Sequence, residues 1–111
     1  MNDLYNEIEE LKAVIDRYVG LLIGYQNVDI MTVLGPLMDR LSVTLPKIVE
    51  CYDRPEMAEY KEDQQYWPGQ LTRLIDALSG GDRFMSIDVL KFETSANLTE
   101  FQRIIKEKGL A

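Results

Sequence analysis

The chain has 111 residues, of which 46% are hydrophobic and 28% charged, a balance typical of one globular domain spanning residues 1–111. Twelve basic and nineteen acidic residues give a net charge of −7, which disfavours nucleic acids and anionic membranes as partners, because both attract Lys and Arg. The single cysteine, Cys51, and an acidic N-terminal segment without a basic, apolar leader predict a cytoplasmic protein.

The first predicted helix covers about residues 3–26. Its large apolar residues are separated alternately by four and three positions, a spacing that places them on one face of a helix. These residues are Leu4, Ile8, Leu11, Ile15, Tyr18, Leu22 and Tyr25. We expect Asp3 to cap the helix, because its carboxylate can accept a hydrogen bond from the free amides of the first turn.

A second predicted helix follows the polar residues 26–29 and continues to about Tyr52. Its apolar residues keep the helical spacing, and they are Ile30, Val33, Leu34, Leu37, Leu41, Leu45, Ile48 and Tyr52. The spacing passes Pro36 and Pro46 without a change of phase. Because an interior proline removes a backbone hydrogen bond and clashes with the preceding turn, we expect one helix kinked at both prolines. The alternative is a turn followed by a helix that begins at Pro36.

Residues 54–66 are strongly polar, and their pattern is compatible with either a helix or a loop. A third helix is predicted beyond them from the apolar residues Trp67, Leu71, Leu74, Ile75 and Leu78. Ser79, Gly80 and Gly81 should end it, since glycine adopts the left-handed conformation common after helices.

The last predicted helix is capped by Asp82 and ends at Gly109. Its apolar stripe consists of Phe84, Ile87, Leu90, Leu98, Phe101, Ile104 and Ile105. Poor helix formers at residues 93–97 leave open a break near Thr94–Asn97, after which Asn97 could cap a separate segment. Four helical segments with short connections predict an all-α fold, an antiparallel up-down bundle of about four helices.

The sequence contains no histidine. This excludes Ser-His and Cys-His nucleophilic schemes, histidine-based acid-base catalysis and most zinc sites. A carboxylate site for Mg²⁺ or Ca²⁺ at Glu59, Glu62 and Asp63 stays possible, although runs of acidic residues are usually solvated surface. We therefore expect no enzymatic activity, no catalytic residue, no cofactor and no metal site.

Several side chains are candidates for contact with a partner. Tyr60 and Tyr66 lie among charged residues, next to Trp67, and aromatic side chains with a polar tip are favoured at protein interfaces. Asp88 borders the last apolar stripe, where it could pair with Arg83 or Lys91 or anchor a partner. We predict Tyr60, Tyr66, Trp67 and Asp88 as partner contacts.

Residues 81–93 resemble the terminal region of small, uncharacterised helical proteins from Gram-positive bacteria. The shared pattern is an acidic residue, then Asp-(Ile/Val)-Leu, then an aromatic residue followed by Glu. Asp88-Val89-Leu90 and Phe92-Glu93 occupy these places, whereas Ser95-Ala96-Asn97 replaces a proline that those proteins often carry. The resemblance implies a bacterial helical domain of unassigned activity and supplies no catalytic residue.

These observations favour a non-enzymatic protein–protein interaction module, such as an adaptor or a small chaperone-like bundle. Its expected partner is another protein or a second copy of the chain. The alternative is a helical bundle that binds a small molecule or a divalent cation through carboxylates.

Overall fold

The computed structural model of the chain describes residues 2–24, 30–80 and 83–111, and all regular structure within these ranges is helical. The elements are α1 (Asn2–Gly24), α2 (Ile30–Cys51), a 3₁₀ helix (Pro55–Gln65), α3 (Tyr66–Ser79), α4 (Arg83–Ile87), a π-helical segment (Asp88–Thr94) and α5 (Ser95–Glu107). The last three follow one another without interruption and together form the final helix. The predicted all-α fold of about four helices is confirmed.

Helix α1 lies between α2 on one side and the final helix on the other, and α3 packs against the final helix. Neighbouring helices run antiparallel. Arg40 of α2 pairs with Glu10 of α1, and Lys47, further along α2, pairs with the earlier Glu7. The domain is elongated, with extents of 47 × 23 × 20 Å, because its long helices lie side by side.

The stripe predicted for α1 forms the centre of the core. Its members Leu4, Ile8, Leu11, Ile15, Tyr18 and Leu22 are all buried, while Tyr25 lies outside the described residues. Burying one such apolar side chain contributes about 1.5–3 kcal/mol. Asp3 is not the cap of this helix, because α1 already begins at Asn2. Its carboxylate lies instead within the first turn, where the helix dipole favours negative charge.

Helix α2 passes through both prolines, as predicted, and the alternative start at Pro36 is wrong. Both prolines are exposed, whereas Leu37 and Leu41 are buried against the core. The rings thus lie on the solvent side of the helix.

Residues 55–65 are neither a loop nor an α-helix but an 11-residue 3₁₀ helix. Such helices are commonly only three or four residues long. Pro55 supplies a suitable φ at the first position, and the amide of Met57 donates to the carbonyl of Arg54 at 3.0 Å. The side chain of Met57 is buried and attaches this polar segment to the core.

The final helix does not break near Thr94–Asn97. The irregularity lies earlier, in the π-helical segment, and Asn97 lies inside α5 instead of capping a new helix. Of the stripe residues whose side chains the structure describes, Phe84 and Ile75 are exposed. Gly109 ends the helix as predicted, with a φ of 73° that favours glycine.

Helix α3 ends at Ser79, as predicted, but not through a left-handed Gly80. The φ of Gly80 is −71°, and its amide donates to the carbonyl of Asp76, so the chain continues the helical turn by one residue. Gly81 and Asp82, the predicted helix end and cap, lie outside the described residues.

Candidate binding surfaces

The four predicted partner contacts differ in exposure and do not lie on one surface. Tyr66 is 51% exposed, whereas Trp67 is 3% exposed and belongs mainly to the core. Tyr60 is partly buried, and the Lys108 ammonium lies 5.6 Å from the centre of its ring. Asp88 is exposed on the π-helical segment. Two surfaces include three of these residues: an aromatic groove with Tyr66 and Trp67, and an exposed row around Asp88, whereas Tyr60 belongs to neither.

The aromatic groove is a surface depression of about 310 Å³. It lies where the end of α2, the 3₁₀ helix and the start of α3 meet α5. Its lining consists of Tyr52, Asp63, Tyr66, Trp67, Asn97, Glu100, Phe101 and Ile104.

Three buried aromatic rings form the floor of the groove. The Trp67 ring meets the Phe101 ring edge-on at 6.1 Å between centroids, and the Tyr52 ring lies 5.5 Å from Phe101. The Trp67 Nε1–H donates to the Tyr52 hydroxyl oxygen at 2.9 Å. Aromatic packing and a buried hydrogen bond therefore fix the floor.

Hydrogen bonds hold the Tyr66 ring at the wall of the groove. Its hydroxyl donates to Gln70 Oε1 at 2.8 Å and accepts from Asn97 Nδ2 at 3.1 Å. Gln70 Nε2 in turn donates to Thr94 Oγ1 at 3.3 Å, which connects α3 to the final helix. The half-exposed ring of Tyr66 is thus held in place before any ligand binds.

The groove is negatively charged. The described part of its lining includes the carboxylates of Asp63 and Glu100 but no Lys or Arg. Glu100 accepts hydrogen bonds from Arg103, which lower the pKa of its carboxyl group below the ordinary value. None of the side chains that the structure describes forms a hydrogen bond or an ion pair with the Asp63 carboxylate. The uncompensated charge of the groove is therefore that of Asp63.

The Tyr52 hydroxyl keeps its proton at neutral pH. Burial raises its pKa above the ordinary value, the hydrogen bond from Trp67 opposes this increase, and the charge of Asp63 adds to it. The hydroxyl is a hydrogen-bond acceptor for Trp67, and no described residue accepts its own O–H.

The second surface is an exposed row on the final helix formed by Phe84, Asp88 and Phe92, which we name the Phe84–Phe92 row. Phe84 is 78% exposed and Phe92 64% exposed. Residues four apart lie on one face of a helix, one turn from each other, so Asp88 lies between the two rings. No described side chain forms an ion pair with Asp88, and the Lys91 ammonium lies 5.7 Å from the Phe92 ring.

The π-helical segment bears on Asp88 and Phe92, the two members of the row that lie within it. A π turn contains more residues than an α turn and therefore shifts the phase of the residues that follow it. Val89, Leu90 and Thr94 of the segment are buried, while Asp88 and Phe92 face outward. The 3-4 spacing alone assigns Phe84 to the core, which is wrong, and leaves Phe92 outside the apolar stripe.

The described residues offer little for catalysis or metal binding. Burial raises the pKa of the Cys51 thiol, which favours the unreactive protonated form. Among the described side chains, no group of three or more acidic or cysteine residues is arranged to hold a metal ion. Of the three acidic candidates, Glu59 pairs with Lys108.

None of the helices in the described part of the chain combines the length and the apolar character needed to cross a bilayer. The chain matches no protein-family model, and neither a curated protein nor a solved structure is significantly similar to it. The resemblance of residues 81–93 to bacterial helical proteins therefore stays a prediction.

Proposed function

We propose that this chain is a non-enzymatic protein–protein interaction module, an adaptor or small chaperone-like bundle of the bacterial cytoplasm. The observation that carries this proposal is the exposure of two phenylalanines in the Phe84–Phe92 row. Large apolar side chains exposed together on one helix face commonly mark sites of protein interaction. The lack of histidine and the buried, protonated Cys51 thiol agree with a role in binding rather than in catalysis.

The chemistry of the row selects the kind of partner. Two phenylalanines about two helical turns apart suit the apolar face of an amphipathic helix, and covering each ring contributes up to about 1.5–3 kcal/mol. Asp88 between them favours a Lys or Arg at the middle of the partner's face. Two copies of the row related by a twofold axis centred on it would place Asp88 against its own counterpart, and like charges in contact are unfavourable. A different protein therefore fits the row better than a second copy.

Site-specific photo-crosslinking in the native host tests the proposal. A photoreactive amino acid replaces Phe92 in one variant and Val43, an exposed apolar residue of α2, in the control. We expect position 92 to yield one reproducible crosslinked protein, identified by mass spectrometry, which is missing from position 43. Identical crosslinks at both positions, or none at position 92, would contradict the proposal.

Light scattering at several protein concentrations separates the partner classes. We expect the purified chain to keep the mass of a monomer across the concentration range. A dimer that Phe92→Ser dissociates and Val43→Ser leaves intact would contradict this expectation. It would identify a second copy of the chain as the occupant of the row.

A further inference from the structure

We infer that the aromatic groove binds a lysine or arginine side chain presented by a basic peptide segment of a partner protein. This site is additional to the Phe84–Phe92 row and shares no residue with it. The groove, at about 310 Å³, is at the lower end of the size of ligand pockets. It suits one long side chain and its neighbouring backbone better than a whole helix.

Charge complementarity determines the sign of the ligand. The groove brings two carboxylates together, and no lysine or arginine stands among the described residues that line it. Arg103 already binds Glu100, so the unpaired carboxylate of Asp63 is the one that a ligand would neutralise. The net charge of −7 strengthens the attraction of a cation to this part of the surface.

The exposed Tyr66 ring supplies a second attraction for a cation. The face of a tyrosine ring attracts ammonium and guanidinium groups, by about 0.5–1 kcal/mol at exposed sites. Because Asn97 and Gln70 already fix the hydroxyl of Tyr66, little side-chain entropy is lost when a ligand packs on the ring.

Elsewhere in the chain a lysine is bound by the same two kinds of group, a tyrosine ring and a carboxylate. The Lys108 ammonium lies 5.6 Å from the Tyr60 ring and pairs with the Glu59 carboxylate. Tyr66 and Asp63 offer an aromatic ring and a carboxylate in the groove, where no cation of the described chain neutralises Asp63. The occupied arrangement at Tyr60 thus indicates what the groove can accept.

The hydroxyl of Tyr52 favours a peptide over a free cation. Tyr52 lines the groove, and its hydroxyl accepts from Trp67 and has an O–H that no described residue accepts. A backbone carbonyl next to the bound lysine or arginine can accept that hydrogen. A peptide therefore satisfies both the carboxylate and the hydroxyl, whereas a small cation satisfies only the first.

The fluorescence of Trp67 tests this inference, because Trp67 is the single tryptophan of the chain and forms part of the groove floor. The probe is a short peptide of alternating arginine and alanine, compared with the same peptide carrying neutral citrulline for arginine. Titrations at physiological salt reduce general attraction to the acidic surface. Calorimetry measures the same affinities independently of the fluorophore.

Matched variants assign the binding to the groove. We expect Asp63→Asn to weaken the arginine peptide about fivefold and Tyr66→Ala by a similar factor. Glu62→Gln removes the same charge from the neighbouring residue, which does not line the groove, and should change the affinity by less than about twofold. Tyr66→Phe keeps the ring and should retain most of the binding.

Equal losses in Asp63→Asn and Glu62→Gln would show that the peptide responds only to net charge and would overturn the inference. Tight binding of the citrulline peptide would overturn its cationic part. Neither result would affect the crosslink expected at position 92, so failure of this site is distinguishable from failure of the proposed function.

Discussion

Helix α1 and the first half of the final helix use similar apolar residues in opposite ways. In α1 the regular 3-4 spacing places every described member of the stripe inside the core. In the final helix a π-helical segment at Asp88–Thr94 interrupts that spacing, and Phe84, just before the segment, and Phe92, within it, are exposed. Regular spacing therefore identifies residues that stabilise the fold. The exposed phenylalanines at the interruption form a surface that binding of a partner would stabilise by covering it.

The free energy of unfolding should distinguish these two regions most strongly. Ile15→Ala should lower the free energy of unfolding by about 2–5 kcal/mol, because it leaves a cavity among buried side chains. Phe92→Ala should change it by no more than about 0.5 kcal/mol, since most of that ring is already in water. Urea denaturation followed by circular dichroism measures both values. Similar losses in the two variants would show that the row belongs to the core.

Replacing tyrosine by phenylalanine should change the free energy of unfolding in opposite directions at two buried positions, Tyr52 and Tyr18. Tyr52→Phe leaves the Trp67 Nε1–H without its acceptor and should lower the free energy of unfolding by about 1–3 kcal/mol. The hydroxyl of Tyr18 has no hydrogen-bond partner among the described residues, and burial raises its pKa. Tyr18→Phe removes this buried polar group and should raise the free energy of unfolding by about 1 kcal/mol.

Thermal denaturation of the two Tyr→Phe variants, side by side, measures the signs of these changes. A loss of stability in Tyr18→Phe equal to that in Tyr52→Phe would show that the Tyr18 hydroxyl does have a partner in solution.

Lowering the pH should reduce the free energy of unfolding only slightly. Hydrogen bonds from Gln102, Lys61 and Arg103 lower the pKa values of Glu9, Asp53 and Glu100 respectively. Since the folded-state values lie below those of the unfolded chain, the stabilisation is complete above the unfolded values, near pH 4, and is lost as the pH falls through the folded ones.

The three carboxylates are largely exposed, so this loss should be slight. Arg103→Gln should return the pKa of Glu100 toward its ordinary value, without affecting Glu9. NMR titration of the carboxyl carbons measures both groups in one experiment, and an unchanged pKa at Glu100 would contradict the assigned cause.

The helical spacing predicts much of this fold because burial of one face requires it. It identifies α1, the continuous α2 and the end at Gly109. It does not identify the 3₁₀ helix at residues 55–65 or the π turn at residues 88–94. These departures from the α-helix change the number of residues per turn by less than one, and short apolar patterns do not resolve that difference.

The aromatic groove is only partly visible in the sequence. Tyr66 is predicted as a contact from its polar surroundings, and Trp67 from its type, although Trp67 is buried. Asn97 and Glu100 lie about thirty residues further along the chain and reach the groove only because α5 packs beside α3. Their role depends on tertiary packing, which local patterns do not contain.

The affinity of the partner for the chain shows whether the exposed phenylalanines of the final helix form an interaction surface. The protein crosslinked through position 92 would be titrated with the unmodified chain, with Phe92→Ser and with Val43→Ser, each checked for an unchanged circular dichroism spectrum. Phe92→Ser should weaken binding at least about tenfold, because covering an exposed phenylalanine contributes more than about 1.4 kcal/mol, while Val43→Ser should leave it unchanged. Equal affinity of the chain and Phe92→Ser would contradict an interaction surface at the interrupted helix.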